Sequence, residues 1–326
     1  MSASKRALLA LAAVIAITVI VSLSGATWPQ AEDMPALAAQ SELNTTIAAR
    51  IQPTATLTPT ATATATPSPT PTLARREFQE QLAPKIAPTT FLPGTGPALP
   101  GTLITQGRRL DFYIGGGTFS EEDVASLAIK AEHALGYMQK RFDTYLSQRV
   151  SVGIYSRGLA PGRGTRGIAY TDDRNVRIYY SAGEDQHNAL CILAHELGHS
   201  LQAEAYGIEA QRRADVVLLE GLATFISGEY WLSLSESSSF QERARELYQA
   251  GYGRNLRTMG NSNAPNDIAY AMWAGFVDYL TRAYGWDAFN QLYVSGRGRS
   301  AGSADYEGIY GKSFNDLAEE YLATLQ

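Results

Sequence analysis

Two short stretches constrain this chain more than anything else in it: Ala194-His195-Glu196-Leu197-Gly198-His199 and, further on, Leu219-Glu220-Gly221-Leu222-Ala223. On a helix, residues four apart share a face with Cβ atoms roughly 6 Å apart, so His195 and His199 can reach one metal ion. Glu196 follows the first imidazole directly and can lean toward a water on that ion without ligating it. Histidine is scarce: the chain has 4, and two of them fall in this motif. The second stretch supplies a carboxylate in apolar surroundings.

His-Glu-x-x-His on a helix is the pattern of zinc proteases, and the third ligand decides the subfamily. Metzincins continue with Gly three residues and His six residues past the second His. Those positions hold Gln202 and Ala205, which excludes them. ADVVLLEGLATFISG (214–228) is apolar nearly all round, as a buried helix is. A lone ionised carboxylate there is costly unless paired or bound to metal, and Glu220 is the only acid between Asp215 and Glu229. Glu204 and Glu209 lie nearer the histidines, on a stretch that reads as polar and turn-prone. Glu220 is the expected ligand.

With these residues the chain resembles the gluzincins, and more narrowly the bacterial peptidase MA-like proteins related to thermolysin and aminopeptidase N. The resemblance covers roughly residues 104–326. It implies an α+β, zincin-like (thermolysin-like) catalytic domain, with a small mixed β-sheet lobe followed by a helical lobe. It implies one Zn2+ per chain, held by His195, His199 and Glu220, with Glu196 as general base. The helix around Tyr270 is similar to the one that carries the aminopeptidases' transition-state tyrosine. Their Tyr-x-Lys-Gly is Tyr270-Ala271-Met272-Trp273 in this chain. The resemblance makes Tyr270 an oxyanion donor; as one of 18 tyrosines it also reads as a packing residue. In that family an edge strand binds the substrate main chain. Gly167, Ile168, Ala169 and Tyr170 are the candidate, against the plain alternative of a structural hairpin. No stretch matches the exopeptidase motif that holds a free amino group, so aminopeptidase specificity is not carried over.

Lys5 and Arg6 precede an apolar run from Ala7 to Val21 that continues weakly to Trp28. Counted long it spans a bilayer core of roughly 30 Å; counted short it has signal-peptide length. Ser24-Gly25-Ala26 offers small residues for cleavage. Either way residues 1–28 place the rest of the chain outside the cell, secreted or anchored in the membrane. Residues 29–103 read as a disordered Pro/Thr/Ala-rich stalk. PTATLTPTATATATPSPTPT (53–72) has no apolar mass to offset ordering entropy. ARREFQEQLA (74–83) reads as one short helix. LPGTG (92–96) spells a sortase signal, but it is internal and lacks the apolar tail and basic end.

The net charge of −5 leaves no basic footprint, which argues against nucleic acid as a partner. Cys191 is the only cysteine, so no internal disulfide exists. It reads as a small core residue, with a fourth metal ligand as the alternative. RLDFYIG (109–115) and RVSVGIYS (149–156) alternate like strands. Ser120 caps a helix through Phe142, with Val124, Leu127, Ala128, Ala131, Leu135 and Met138 at helical spacing. GIAYT and VRIYYSA flank Asp172-Asp173-Arg174-Asn175 as a hairpin. Further helices are expected at 236–252, around Tyr270, and in SFNDLAEEYLATL. His133 and His187 read as solvent-facing or capping residues.

The expected function is an exported zinc metallopeptidase acting on a peptide or protein substrate. The alternatives are a catalytically silent cell-surface binding or scaffold protein on the same fold, and a zinc hydrolase of a non-peptide bond.

Overall fold

The computed structural model describes residues 91–326 apart from 117–118, 163, 182 and 261–264. The export segment 1–28, the stalk through residue 90 and the helix expected at 74–83 lie outside the described residues. Among the described residues no helix is long and apolar enough to cross a membrane.

Five strands form one mixed sheet: β1 (Thr102–Gln106), β2 (Leu110–Ile114), β3 (Val150–Ser156), β4 (Gly167–Tyr170) and β5 (Asn175–Tyr180). Their order is β1-β2-β3-β5-β4. β2, β3 and β5 are parallel neighbours, while β1 and β4 run antiparallel at the two edges. The sequence alternation puts Leu110, Phe112, Val150, Val152, Ile154, Val176 and Ile178 on one face, all fully buried. That face packs against α1 (Glu121–Phe142) and α2 (Gln186–Tyr206). Ser120 caps α1 by accepting from the Asp123 amide, and Asp143 closes it in the left-handed region at φ 48°.

The remaining chain is helical: α3 (Ile208–Arg213), α4 (Val216–Ser227), α5 (Glu229–Leu232), α6 (Phe240–Gln249), α7 (Asn266–Tyr284), α8 (Trp286–Val294), α9 (Tyr306–Tyr310) and α10 (Phe314–Ala323). α4 packs against both α2 and α7, which explains why its sequence is apolar on nearly every side.

Several elements differ from the sequence expectation. β1 starts two residues before the boundary drawn at 104, and its side chains are largely exposed, so pairing with β2 rather than alternation makes it a strand. Residues 91–101, compositionally part of the stalk, are held to the sheet. Arg149 is buried, ion-paired with buried Asp111, and donates to the carbonyls of Leu92, Arg108 and Gly107. Asp111 in turn accepts from the Gly96 amide, and Ser151 Oγ donates to the Pro97 carbonyl. A Pro/Gly-rich segment is thereby ordered by a charge pair whose members lie far away in sequence. The polar stretch carrying Glu204 and Glu209 is helical rather than a turn, as the end of α2 and as α3.

Asp215 ties the helical lobe together. It is fully buried, caps α4 by accepting from the Val217 amide at 2.9 Å, and accepts from the amides of Gly302 (2.6 Å) and Ser303 (2.9 Å) and from the Tyr306 hydroxyl (3.1 Å). Asp215→Ala removes the cap and strands three other donors, a cost of about 3 kcal/mol. At roughly 2–4 °C per kcal/mol for a domain of this size, the melting temperature is expected to fall by about 6–12 °C in a thermal melt. A fall of less than about 2 °C would show that these bonds are not what anchors α4.

Candidate metal centre

Glycines inside both motifs let three helices approach closely. A Cβ at Gly198 on α2 would lie 2.8 Å from the Ala223 carbonyl oxygen of α4. A Cβ at Gly221 on α4 would lie 2.7 Å from the Trp273 carbonyl oxygen of α7. Both separations are shorter than side chains tolerate, so the backbones meet only because these positions carry none. The α2–α4 contact brings Glu220 under the two imidazoles, and the α4–α7 contact brings Tyr270 beside His195.

Glu220 Oε2 lies 3.2 Å from His195 Nε2 and 3.4 Å from His199 Nε2. The three donor atoms lie within 4.8 Å of one another, and all three residues are buried. Tetrahedral zinc with bonds of about 2.0–2.2 Å separates its ligand atoms by roughly 3.3–3.6 Å, so the two separations from Glu220 suit such an ion. The outer nitrogens are occupied. His195 Nδ1 lies 3.2 Å from Thr224 Oγ1, and His199 Nδ1 lies 3.2 Å from Gln202 Oε1. Gln202 is itself fixed, its Nε2 donating to the Leu219 carbonyl (2.8 Å) and its Oε1 accepting from the Tyr293 hydroxyl (3.1 Å). An amide oxygen only accepts, so Gln202 holds a proton on His199 Nδ1 and leaves Nε2, which faces Glu220, as the nitrogen that could ligate a metal once it gives up its own proton.

The electrostatics follow from burial. Burial pushes the Glu220 carboxyl up, but the two imidazoles, His199 first, outweigh it and hold the group far below the ordinary carboxylate range. Burial pulls His199 down, and the neighbouring Glu220 carboxylate more than restores it, leaving its pKa above the ordinary value. Glu196 is raised: burial dominates, the two imidazoles partly offset it, Glu220 adds to it, and the Ala169 backbone amide lowers it by hydrogen bonding. A carboxylate raised in this way is suited to take up and release a proton.

The structure brings four of the expected positions together with β4. A Cβ at Gly167 would lie 2.5 Å from Glu196 Oε1 and 2.6 Å from its Cγ, so the strand runs against the carboxylate and needs glycine there. The Tyr270 ring stacks on His195 with centroids 5.1 Å apart and planes 6° from parallel. Its pKa lies well above that of an ordinary phenol because of burial and then the Glu220 and Glu196 charges.

Other candidates fall away from the centre. Glu204 pairs with Arg174 at 2.8 Å, and Glu209 is exposed and pairs with Arg212. Cys191 is buried, its thiol pushed up to about 11 by burial, and its Sγ donates to the Tyr230 carbonyl. His187 is exposed and lies 2.8 Å from Ser233 Oγ; His133 is also exposed. Sequence reading missed Gln202, Thr224 and Trp231, whose ring lies 5.3 Å from that of His195. Spacing held part of the signal: Gln202 follows His199 by three residues, and Thr224 follows Glu220 by four, each on its ligand's own helical face.

No protein-family model matches this chain, and no curated protein matches it in sequence.

Gln202 bridges the His199 ring and the backbone next to Glu220, so it sets the geometry of two ligands from two helices. Gln202→Ala is expected to weaken zinc binding by about 10–100-fold in competition with a chromophoric chelator. An unchanged affinity would mean that the Nδ1 bond does not orient the ring.

Proposed function

We propose that this chain is an exported zinc-dependent metallopeptidase whose catalytic domain has the zincin-like, thermolysin-like architecture. The observation that carries the reading is the buried triangle of His195, His199 and Glu220, with both imidazole outer nitrogens anchored and Glu196 one residue from the first ligand. Four buried polar groups converging in one place are expensive to maintain unless they hold something. In this reading residues 1–28 export or anchor the protein, and its partners are the membrane and a peptide or protein substrate.

Zinc, when bound, supplies a Lewis acid that polarises a substrate carbonyl and acidifies a water. The chain's own residues do the rest. His195, His199 and Glu220 would hold the ion. Glu196 takes the proton of the attacking water on its carboxylate and passes it to the nitrogen of the leaving amine. β4 offers a place for the substrate main chain. The Tyr179 amide donates to the Arg166 carbonyl at 2.8 Å, which makes Arg166–Tyr179 a hydrogen-bonded pair. Alternation along the antiparallel ladder then turns the backbone groups of Gly167 and Ala169 away from β5, the Ala169 amide toward Glu196 and the others toward the open edge. An extended peptide added along that edge passes beside Glu196, and main-chain pairing of this kind is indifferent to side-chain identity.

Glu196→Gln keeps the shape and the three ligands but removes the proton carrier. In a peptide-library digest by the full chain with zinc, cleavage is expected to fall on the order of a thousandfold with metal content unchanged. Near wild-type cleavage by this variant would remove Glu196 from its role. A fully loaded wild type that cleaves no peptide would favour the silent scaffold or a non-peptide substrate.

A further inference from the structure

The face of the sheet turned away from α1 and α2 carries polar side chains where the other face is apolar. Alternation along β5 puts Val176 and Ile178 on the helix side and Asn175 and Arg177 on the opposite side. Asn175 and Arg177 both border a cavity of about 840 Å³ between the 91–101 segment and the β4–β5 turn, with Leu92, Thr95, Pro97 and Asp172 among its walls. That volume falls within the roughly 300–1,000 Å³ of small-molecule sites. The metal centre lies beyond the apolar face, on α2 and α4, so the two places are separate.

Two atoms on these residues lack partners. Asn175 is only 7% exposed, and its buried Oδ1 has no donor among the described residues. The buried Nε of Arg177 likewise has no acceptor. Buried polar atoms are nearly always bonded, because an unpaired one bears its full desolvation. Most charges around the cavity are neutralised within the protein, Arg149 by Asp111, Arg174 by Glu204 and Asp172 by Arg212. Arg177 forms no ion pair among the described residues; its guanidinium lies 4.9 Å over the Tyr170 ring and 5.7 Å over that of Tyr155. Tyr155 folds over Gly153, the β3 residue paired with Arg177, where a Cβ would lie 2.4 Å from the ring. The Tyr155 hydroxyl donates to the Pro100 carbonyl at 3.1 Å, which fixes the ring. A guanidinium held between two such rings is a pre-set fork, the shape that matches a carboxylate.

We propose that this cavity binds an α-carboxylate with an adjacent N–H, the carboxylate on Arg177 and the N–H donating to Asn175 Oδ1. An amide oxygen only accepts and a guanidinium only donates, so the ligand must present one group of each kind close together. Side chains two apart on one strand face stand about 6.5 Å apart. A carboxylate and its neighbouring N–H, with a hydrogen bond of about 3 Å at each end, span that gap. The C-terminal residue of a peptide and a free amino acid both carry the pair, and Leu92 and Pro97 give an apolar side chain something to pack on. Asp173 is exposed at the rim, where it can meet the ammonium of a free amino acid. None of this depends on the metal reading.

Titration calorimetry of the full chain with N-acetyl-leucine, N-acetyl-leucinamide and leucine tests the proposal. N-acetyl-leucine is expected to bind at one site per chain and about tenfold or more tighter than its amide, which lacks the carboxylate. Leucine binding tighter than N-acetyl-leucine would mark the free amino acid as the source, and the reverse order the peptide C-terminus. Arg177→Gln and Asn175→Leu are each expected to weaken the tighter of the two by about tenfold or more. Asn175→Leu keeps the volume and removes an unpaired polar atom, so its melting temperature is expected to equal or exceed that of the wild type. A clear fall would show that Asn175 is bonded within the protein and would count against the proposal. Binding that survives both variants lies elsewhere, as carboxylate coordination at the metal centre would, and would overturn it. Equal binding of the acid and its amide would overturn it too, as would no binding of either leucine compound at millimolar concentration.

Discussion

An ionised carboxylate with almost no access to water sets the terms for the helical half of this protein. Glu220 sits in the middle of α4, among residues chosen for burial, and on its own would be driven to the neutral form. The two imidazoles of α2 reverse that tendency. They do so only because the helices approach closely enough for Oε2 to face both Nε2 atoms, and that approach depends on the absence of a side chain at Gly198. Much of the surrounding arrangement serves the same end. Gln202 and Thr224 anchor the outer nitrogens of the imidazoles, and Asp215 caps the helix that carries the acid and moors it to the chain around residues 302–306.

The sheet contributes through its edge. β4 is the last strand on one side, and it runs against α2 at Glu196, with Gly167 leaving room for the carboxylate and the Ala169 amide bonded to it. At the other side of the sheet the chain from Phe91 to Gly101 is clasped by Arg149 and Asp111. That buried pair is a constraint as much as a support, since removing either partner leaves an uncompensated charge inside. Asp111 lies on β2 and Arg149 immediately precedes β3, so the pair joins the two parallel strands at one end.

The sequence carried some of this openly and some of it not at all. The grouping of His195, His199 and Glu220 was legible because residues four apart share a helix face and an acid in an apolar helix demands a partner. Ser120 and the β4–β5 hairpin were legible because caps and alternation are local. β1, α3, α8 and α9 were not, since short elements stabilised by tertiary packing leave no period to read. The ordering of residues 91–101 was hidden for a related reason: its cause, Arg149 with Asp111, lies in other segments. The stacking of Tyr270 on His195 joins α7 to α2 and has no trace in either segment alone. Local chemistry was readable, and pairings between distant segments were not.

The central claim is that His195, His199 and Glu220 together hold one zinc ion. Metal content of the purified full chain, measured by mass spectrometry after equilibration with zinc and removal of excess, tests it most directly. About one zinc per chain is expected for the wild type, none for His195→Ala or His199→Ala, and a strongly reduced amount for Glu220→Ala. A wild type without stoichiometric zinc would contradict the account. So would zinc that survives Glu220→Ala in full and is lost from Glu204→Ala, because the third ligand would then lie elsewhere on the chain.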